Sequence, residues 1–481
     1  MSFSKTSFNA SVNEHATRVW DAEIIPALCD YIRIPNVSKA YDADWKANGF
    51  MDQAVEMIRS WCAARVISGL QVSVEQLDGL TPLIVVDVPA FGEGTKLGAD
   101  DTVLLYGHLD KQPEMTGWRD GFGPWIPVIE DGRLYGRGGA DDGYAAFASL
   151  TAIEATQAAG GSHARLVVFI EASEESGSPD LPAYLEHLAD HIGTPSLVLC
   201  LDSGCLDNQR IWVTTSLRGL VGATLQVDVL KEGVHSGEAS GVVPSTFRII
   251  RELLDRIEDS ATGHVLVESL HAPIPDDRYQ QTVDTAAEFP EPIAGHFPFL
   301  TGVQPMTDDP VEQFLNRTWR PTLSITGADG LAPTNRAGNV LRPSTALKLS
   351  FRLPPTVDAE AAYAAVEQTL TEDPPYGAHV ALHDGEFATG WNAPSFAPWL
   401  ADALDEASRA TFGNPTRSFG EGGSIPFMGM LGSRFPEAQF VITGALGPGA
   451  NAHGPNEFLD LQTARKLTAS LAIVIDAHAR R

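Results

Sequence analysis

Cysteine is scarce in this chain: four in 481 residues, at positions 29, 62, 200 and 205. None of their spacings is that of a cysteine metal site, so any bound metal must be held by other donors. Basic residues are also few, 33 Lys and Arg against 62 Asp and Glu, a formal net charge of -29. Phosphate-rich partners need a basic surface, so nucleic acid and anionic membranes are excluded as partners. No stretch approaches the roughly 18 consecutive apolar residues of a membrane span. The first 25 residues carry Lys5, Asn13, Glu14, His15 and Arg18 and show no apolar segment of a signal peptide. The expectation is a cytoplasmic chain with reduced thiols, Cys200 filling a buried strand. Internal repeats and low-complexity tracts are absent.

At this length the chain can bury a large core and is expected to form more than one domain. Val19, Ile24, Leu28 and Ile32 recur at helical spacing, and a second helix is predicted over 51–64. Strands and helices then alternate to about residue 213, which predicts a mostly parallel sheet with helices on both faces. From about residue 216 the pattern changes. A half-exposed strand over 220–230, a helix over 244–257, a strand over 347–353 and a helix over 360–370 read as an inserted smaller α+β domain. The Pro-rich and acidic stretch 271–310 reads as a long loop or insert. The boundaries expected are 1–215 with 388–481 for the larger domain and 216–387 for the insert. A helix over 463–477 ends the chain.

Chemistry concentrates where apolar strands stop. Thr102 to Tyr106 runs into Gly107-His108-Leu109-Asp110. In an open α/β sheet ligands bind at the carboxyl ends of strands, and a period of two puts His108 and Asp110 on one face. Leu166 to Ile170 leads into Glu171-Ala-Ser-Glu174-Glu175; Ser196 to Leu201 ends at Asp202; Gln439 to Thr443 precedes Asn451-Ala-His453 and Asn456-Glu457. Gly138-Gly139-Ala140-Asp141-Asp142 precedes an Ala-rich helix, 144–158. Imidazole and carboxylate together suit two divalent ions, zinc first, with manganese or cobalt as further candidates. Two ions held close together need a shared carboxylate, and Asp141 is the best candidate. Of the adjacent Glu174 and Glu175, one can face the attacking water and the other a metal, since neighbouring side chains after a strand point apart. A dinucleotide reading of the Gly-rich segment fails, because Asp141 and Asp142 would repel a pyrophosphate. Ser424 has no Ser-His-acid pattern around it and is not read as a nucleophile.

Together these segments resemble the aminoacylase/carnosinase-type di-metal peptidase family, which includes carnosinases, carboxypeptidase G, aminoacylase and succinyl-diaminopimelate desuccinylase. The matching motifs are Tyr106-Gly-His-Leu-Asp110-Lys-Gln-Pro113, Gly136-Arg-Gly-Gly-Ala-Asp141-Asp142, Glu174-Glu175-Ser-Gly-Ser178, Asp202, His235-Ser-Gly237, Arg352, Glu421-Gly-Gly-Ser-Ile-Pro426 and His453. They occur in family order from 106 to 457. Trp319 to Gly327 followed by Ser350 to Pro354 is nearest the carnosinase-like dipeptidase branch.

The resemblance implies an α/β catalytic domain with an inserted ferredoxin-like lid and dimerisation domain. It implies His108 and Asp202 on one metal, Glu175 and His453 on the other, and Asp141 bridging. Glu174 would be the general acid/base, Asp110 the orienter of His108, and His235 the group that polarises the scissile carbonyl, reaching the neighbouring subunit of a homodimer. Arg352 would hold the substrate carboxylate, with Asn339, Gly422, Gly423 and Ser424 as further substrate contacts. It also implies a cis Asp141–Asp142 peptide. The function expected is a metal-dependent hydrolase cleaving a peptide or amide bond near a free carboxylate, acting on a small peptide. The alternatives are an N-acyl-amino-acid amidohydrolase and a catalytically silent binding protein. A silent homologue would have lost Glu174 or a ligand, and this chain keeps all six. Two positions depart from the family pattern: Gly143-Tyr144 where Lys-Gly is common, and Gly420 where Arg is common. The missing Arg is expected to open space and to remove positive charge near the substrate end.

Overall fold

The computed structural model describes residues 5–92, 101–288, 293–423 and 426–481. Two compact units emerge. The first comprises 1–214, 393–418 and 430–481; the second comprises 215–392 and 419–429. The returning chain is thus divided, since 419–429 cluster with the second unit.

The first unit is built on a sheet whose strands follow one another in space as Gln71–Glu75, Leu83–Val88, Arg165–Glu171, Asp101–His108, Thr194–Cys200, Gln439–Ile442 and Trp212–Leu217. The four from Arg165–Glu171 to Gln439–Ile442 are parallel, and antiparallel strands flank them. Parallel strands are buried on both faces, so they read as unbroken apolar runs. Val103, Leu104, Leu105 and Tyr106 are accordingly all buried. The register pairs His108 with Glu171, Tyr106 with Cys200 and Cys200 with Ile442. The carboxyl ends of four strands therefore lie level along one edge.

The helix Tyr144–Ala158 packs against this sheet and against the helices Lys5–Val19 and Leu461–Arg480. Its residues from Tyr144 to Thr156 are all buried. Alanine at 145, 146, 148, 152 and 155 keeps it slim enough to fit between sheet and helices, and its few polar positions, Ser149, Thr151, Glu154 and Thr156, are buried with the rest. It starts at Tyr144, two residues after Asp142. The turn carrying Asp141 is thereby fixed to one of the most enclosed elements of the fold.

The second unit has a four-stranded antiparallel sheet in the order Thr322–Asp329, Ser344–Leu353, Gly219–Asp228, His379–Ala388. The helices Thr246–Leu254 and Ala359–Thr371 pack on it. This is the expected ferredoxin-like order. Ser344–Leu353 alternates between half-buried and buried positions, so Leu347, Leu349, Phe351 and Leu353 enter one core with Val221, Leu225, Ile249 and Ile250.

The stretch 271–310, expected as a long loop or insert, is not loop throughout. Asp276–Glu288 is a helix whose buried positions are Arg278, Thr282, Thr285 and Ala286. They fall on one face, but with Arg and Thr in place of Leu and Ile they give no apolar period to read. Pro310–Thr318 is a second helix, capped by Asp309, whose carboxylate accepts from the amides of Val311 and Glu312.

The Asp141–Asp142 peptide is cis. The departure at Gly143 has a packing cause. A Cβ at 143 would lie 2.2 Å from Tyr31 Cε1 and 2.5 Å from the Gly138 carbonyl oxygen. The Tyr31 ring occupies the space a lysine stem would need, and the buried Lys111 ammonium sits 3.8 Å above that ring. Gly143→Ala is therefore expected to destabilise the protein by at least the ~1–3 kcal/mol of an overpacked core. Denaturant unfolding of this variant with an unchanged midpoint would contradict that packing.

Candidate metal centre

Each strand end delivers one part of the centre. His108 closes the strand Asp101–His108 and Asp110 follows it; both are fully enclosed. Asp110 is held twice, its two oxygens accepting from the Glu174 and Glu175 amides at 3.1 and 3.0 Å. The same carboxylate lies 3.5 Å from His108 Nδ1. The Asp110 carbonyl oxygen is nearer to that nitrogen, at 3.1 Å, and the carboxylate fixes the turn that carries the two glutamates. Its neighbour Asp142 accepts from the His108 amide at 3.3 Å.

Asp141 stands between the two histidines. Its Oδ1 lies 3.3 Å from His108 Nε2 and its Oδ2 lies 3.0 Å from His453 Nε2. Asp202 approaches His108 Nε2 at 3.8 Å, and Glu175 approaches His453 Nε2 at 3.4 Å. Two triads result, His108 with Asp141 and Asp202, and Asp141 with Glu175 and His453; in each, the ligand atoms lie within 4.8 Å of one another. Glu174 belongs to neither triad. Its carboxylate reaches to 3.9 Å from His108 Nε2.

Electrostatics give this cluster its character. Asp110, Asp141, Asp142, Glu174, Glu175 and Asp202 surround His108 in a largely water-free setting. Burial, then Asp202, raise the Glu174 carboxyl well above its usual range; burial, then Asp141, do the same for Glu175. Burial also disfavours charge on Asp141, but hydrogen bonds to His108 and His453 hold its carboxyl far below the usual range. Burial works against the His108 imidazolium as well, yet Asp110 and Asp141 outweigh it and raise that pKa well above normal. So many acidic groups cannot all ionise in a low dielectric beside only two imidazoles. Divalent cations would resolve the conflict. Imidazole and carboxylate oxygen are donors that suit zinc and its neighbours, so the residues present fit a metal pair.

Several supporting groups did not stand out in the sequence. Gln112 donates to Glu175 Oε2 at 2.7 Å. Burial pushes the Glu171 carboxyl up to about 7; it accepts hydrogen bonds from Tyr106, Ser173 and Ser178. Arg137 and Glu457 form a fully buried ion pair at 2.5 Å. Burial pushes Glu457 up to about 7, with Arg137 opposing. All four acidic or polar partners lie within the quoted motifs, but a charged residue beside a motif reads as solvated until its burial is known.

The remaining candidates belong to the second unit. Val234–His235 pairs with Val340–Leu341, and the Ser236 amide donates to the Asn339 carbonyl at 2.9 Å. This pairing brings the exposed His235 and Asn339 side by side. Arg352 lies on Ser344–Leu353, half-buried, and burial lowers its pKa. Arg218 holds the Gly422 and Gly423 carbonyls at 3.1 Å each, through its side chain and its amide. Ser424 lies outside the described residues. The expectation of open space at Gly420 is overturned. A Cβ there would sit 2.5 Å from Ser216 Oγ and 3.1 Å from Thr318. Beside Gly422, an Arg218 Nη atom stands 3.3 Å from where a Cβ would be, and Arg317 lines the same residue.

Known proteins are similar to this chain in sequence and in fold. The chain is 28% identical to cysteinylglycine-S-conjugate dipeptidase of Corynebacterium striatum over 383 residues, 76% of this chain and 78% of that protein. It is 26% identical to human Beta-Ala-His dipeptidase over 391 residues, 75% of this chain and 72% of that protein. Among solved structures, the di-peptidase Dug1p of Saccharomyces cerevisiae superposes with a TM-score of 0.75 at 22% identity, covering 99% of both chains. Human carnosine dipeptidase 1 gives 0.72 at 20% identity, covering 98% of this chain and 99% of its own. Residues 104–477, which span every element of the metal centre, match the model of a single peptidase family, and by that match the chain belongs to peptidase family M20/M25/M40.

Proposed function

We propose that this metallopeptidase is a two-metal dipeptidase, which hydrolyses the peptide bond of a small substrate bearing a free carboxylate. The observation that carries the reading is Asp141, whose two oxygens face two different imidazoles at the meeting point of two triads. His108 and Asp202 would hold one ion, Glu175 and His453 the other, and Asp141 both. Zinc is the ion we assign first, since half of the non-shared ligands are imidazoles. The relatives named for cysteinylglycine conjugates and for Beta-Ala-His make dipeptides the substrate class to test first.

Bound ions would supply Lewis acidity to the attacking water and the scissile carbonyl. Glu174, outside both triads, takes a proton from the water as its oxygen bonds to the carbonyl carbon. It returns that proton to the amine nitrogen as the C–N bond breaks, so one carboxylate serves both halves of the reaction. Asp110 keeps His108 and the Glu174 backbone in register for this transfer. The second unit serves as lid and dimerisation domain: Arg352 takes the substrate carboxylate, and Asn339, Gly422 and Gly423 line its path. His235 stabilises the developing oxyanion in the neighbouring subunit of a homodimer. Among the described residues no helix is long and apolar enough to cross a membrane, and none of the four cysteines is bridged; a reducing cytoplasmic setting fits the latter.

Activity against a panel of dipeptides and N-acyl amino acids should vanish on chelation and return when zinc, manganese or cobalt is restored. Glu174→Gln should retain its metal and its substrate affinity while turnover falls at least ~10²-fold. Loss of an ion from this variant would move Glu174 into the ligand set and break the assignment.

Composite sites make a second test available. His235→Ala and Glu174→Gln subunits, each inactive alone, should regain activity when mixed under exchange, because one site of the mixed dimer carries neither defect. Confirmed exchange without recovered activity would show that His235 acts within its own subunit.

A further inference from the structure

The three ligands of the second triad sit on three different loops, and one buried ion pair stands behind all of them. Glu457 Oε1 accepts from the Gly138 amide at 3.0 Å and the Ala140 amide at 3.4 Å, directly preceding Asp141. Arg137 bonds Glu457 Oε2 through Nη1 at 2.5 Å and donates through Nη2 to the Gly454 carbonyl at 2.9 Å, next to His453. Its Nε donates to the Pro113 carbonyl at 3.2 Å. Pro113 adjoins Gln112, whose amide holds Glu175. The other triad is supported differently. His108 terminates a parallel strand and Asp202 closely follows one, so the sheet itself carries them.

The loop bearing His453 needs such support. Asn451, His453 and Asn456 all have left-handed backbones, with φ of 55°, 63° and 60°. Non-glycine residues hold that conformation only where their surroundings enforce it. His453 is also the most exposed of the proposed ligands, its side chain 55% accessible against 10% or less for the others. Its position cannot come from core packing around the ring.

We propose that the Arg137–Glu457 pair is a positioning element that sets His453 against Asp141 and so fixes the affinity of one ion only, the one between Asp141, Glu175 and His453. This rests on the two-ion reading above. Neither residue belongs to either triad. Arg137 and Glu457 act through the backbone of the loops, as outer-layer partners of metal ligands do elsewhere.

The test is metal binding, not turnover. Chelator-stripped protein is titrated calorimetrically with zinc and with manganese, and metal content is counted after dialysis. Wild type should take two ions. Glu457→Gln should bind the first with unchanged affinity and the second about 10–100-fold more weakly. Because a lone Arg137 charge left in the interior could unfold that variant, Arg137→Met/Glu457→Gln removes both charges at similar volume, and it should show the same selective loss. Circular dichroism confirms folding without metal. A merely structural pair would lower the metal-free melting temperature but leave the ratio of the two affinities unchanged. The inference is overturned if both ions bind as in wild type, if both weaken together, or if neither variant folds. Wild-type protein that takes up fewer than two ions would instead refute the two-ion reading, and the inference with it.

Discussion

Six carboxylates packed around a buried imidazole are the constraint on which the rest of this structure depends. Left to themselves they repel one another, and burial removes the water that would screen them. The surroundings act on them unequally: His108 and His453 hold the Asp141 carboxyl below its usual range, while burial and neighbouring acids raise those of Glu174, Glu175 and Asp142. Such an arrangement holds only on a rigid frame. The frame is a parallel sheet whose strand ends lie level, with a fully buried helix springing from the turn beside Asp141. Because each ligand-bearing segment leaves from that frame, repulsion cannot be relieved by letting the ligands drift apart.

Much of this was legible because the parallel strands are buried on both faces. An unbroken apolar run that stops at an acid or an imidazole is a strong signal, and it marked His108, Glu174, Glu175, Asp202 and the approach to His453. The helix 144–158 showed itself by alanine alone. What stayed hidden follows from the same physics. A buried ion pair such as Arg137–Glu457 looks in sequence like two solvated charges. Glu171, with three hydroxyl donors on its carboxylate, looks like one more acid in an acidic chain. The neighbourhood of His235 and Asn339 depends on a two-residue strand pairing across about a hundred positions, which no local pattern encodes.

The two departures from the family pattern have packing explanations. Gly143 is required by the Tyr31 ring, which in turn carries the Lys111 ammonium and donates to the Leu109 carbonyl. Gly420 is enclosed by Ser216 and Thr318, with Arg218 and Arg317 alongside Gly422. In both places a Cβ would already meet a neighbouring side chain.

The central claim is that Asp141 joins two metal sites. Anomalous diffraction from crystals of the zinc-loaded protein, recorded on both sides of the zinc absorption edge, tests it most directly. The account predicts two peaks flanking the Asp141 carboxylate, one beside His108 and Asp202 and one beside Glu175 and His453. A single peak, or two peaks that do not share Asp141, would contradict it.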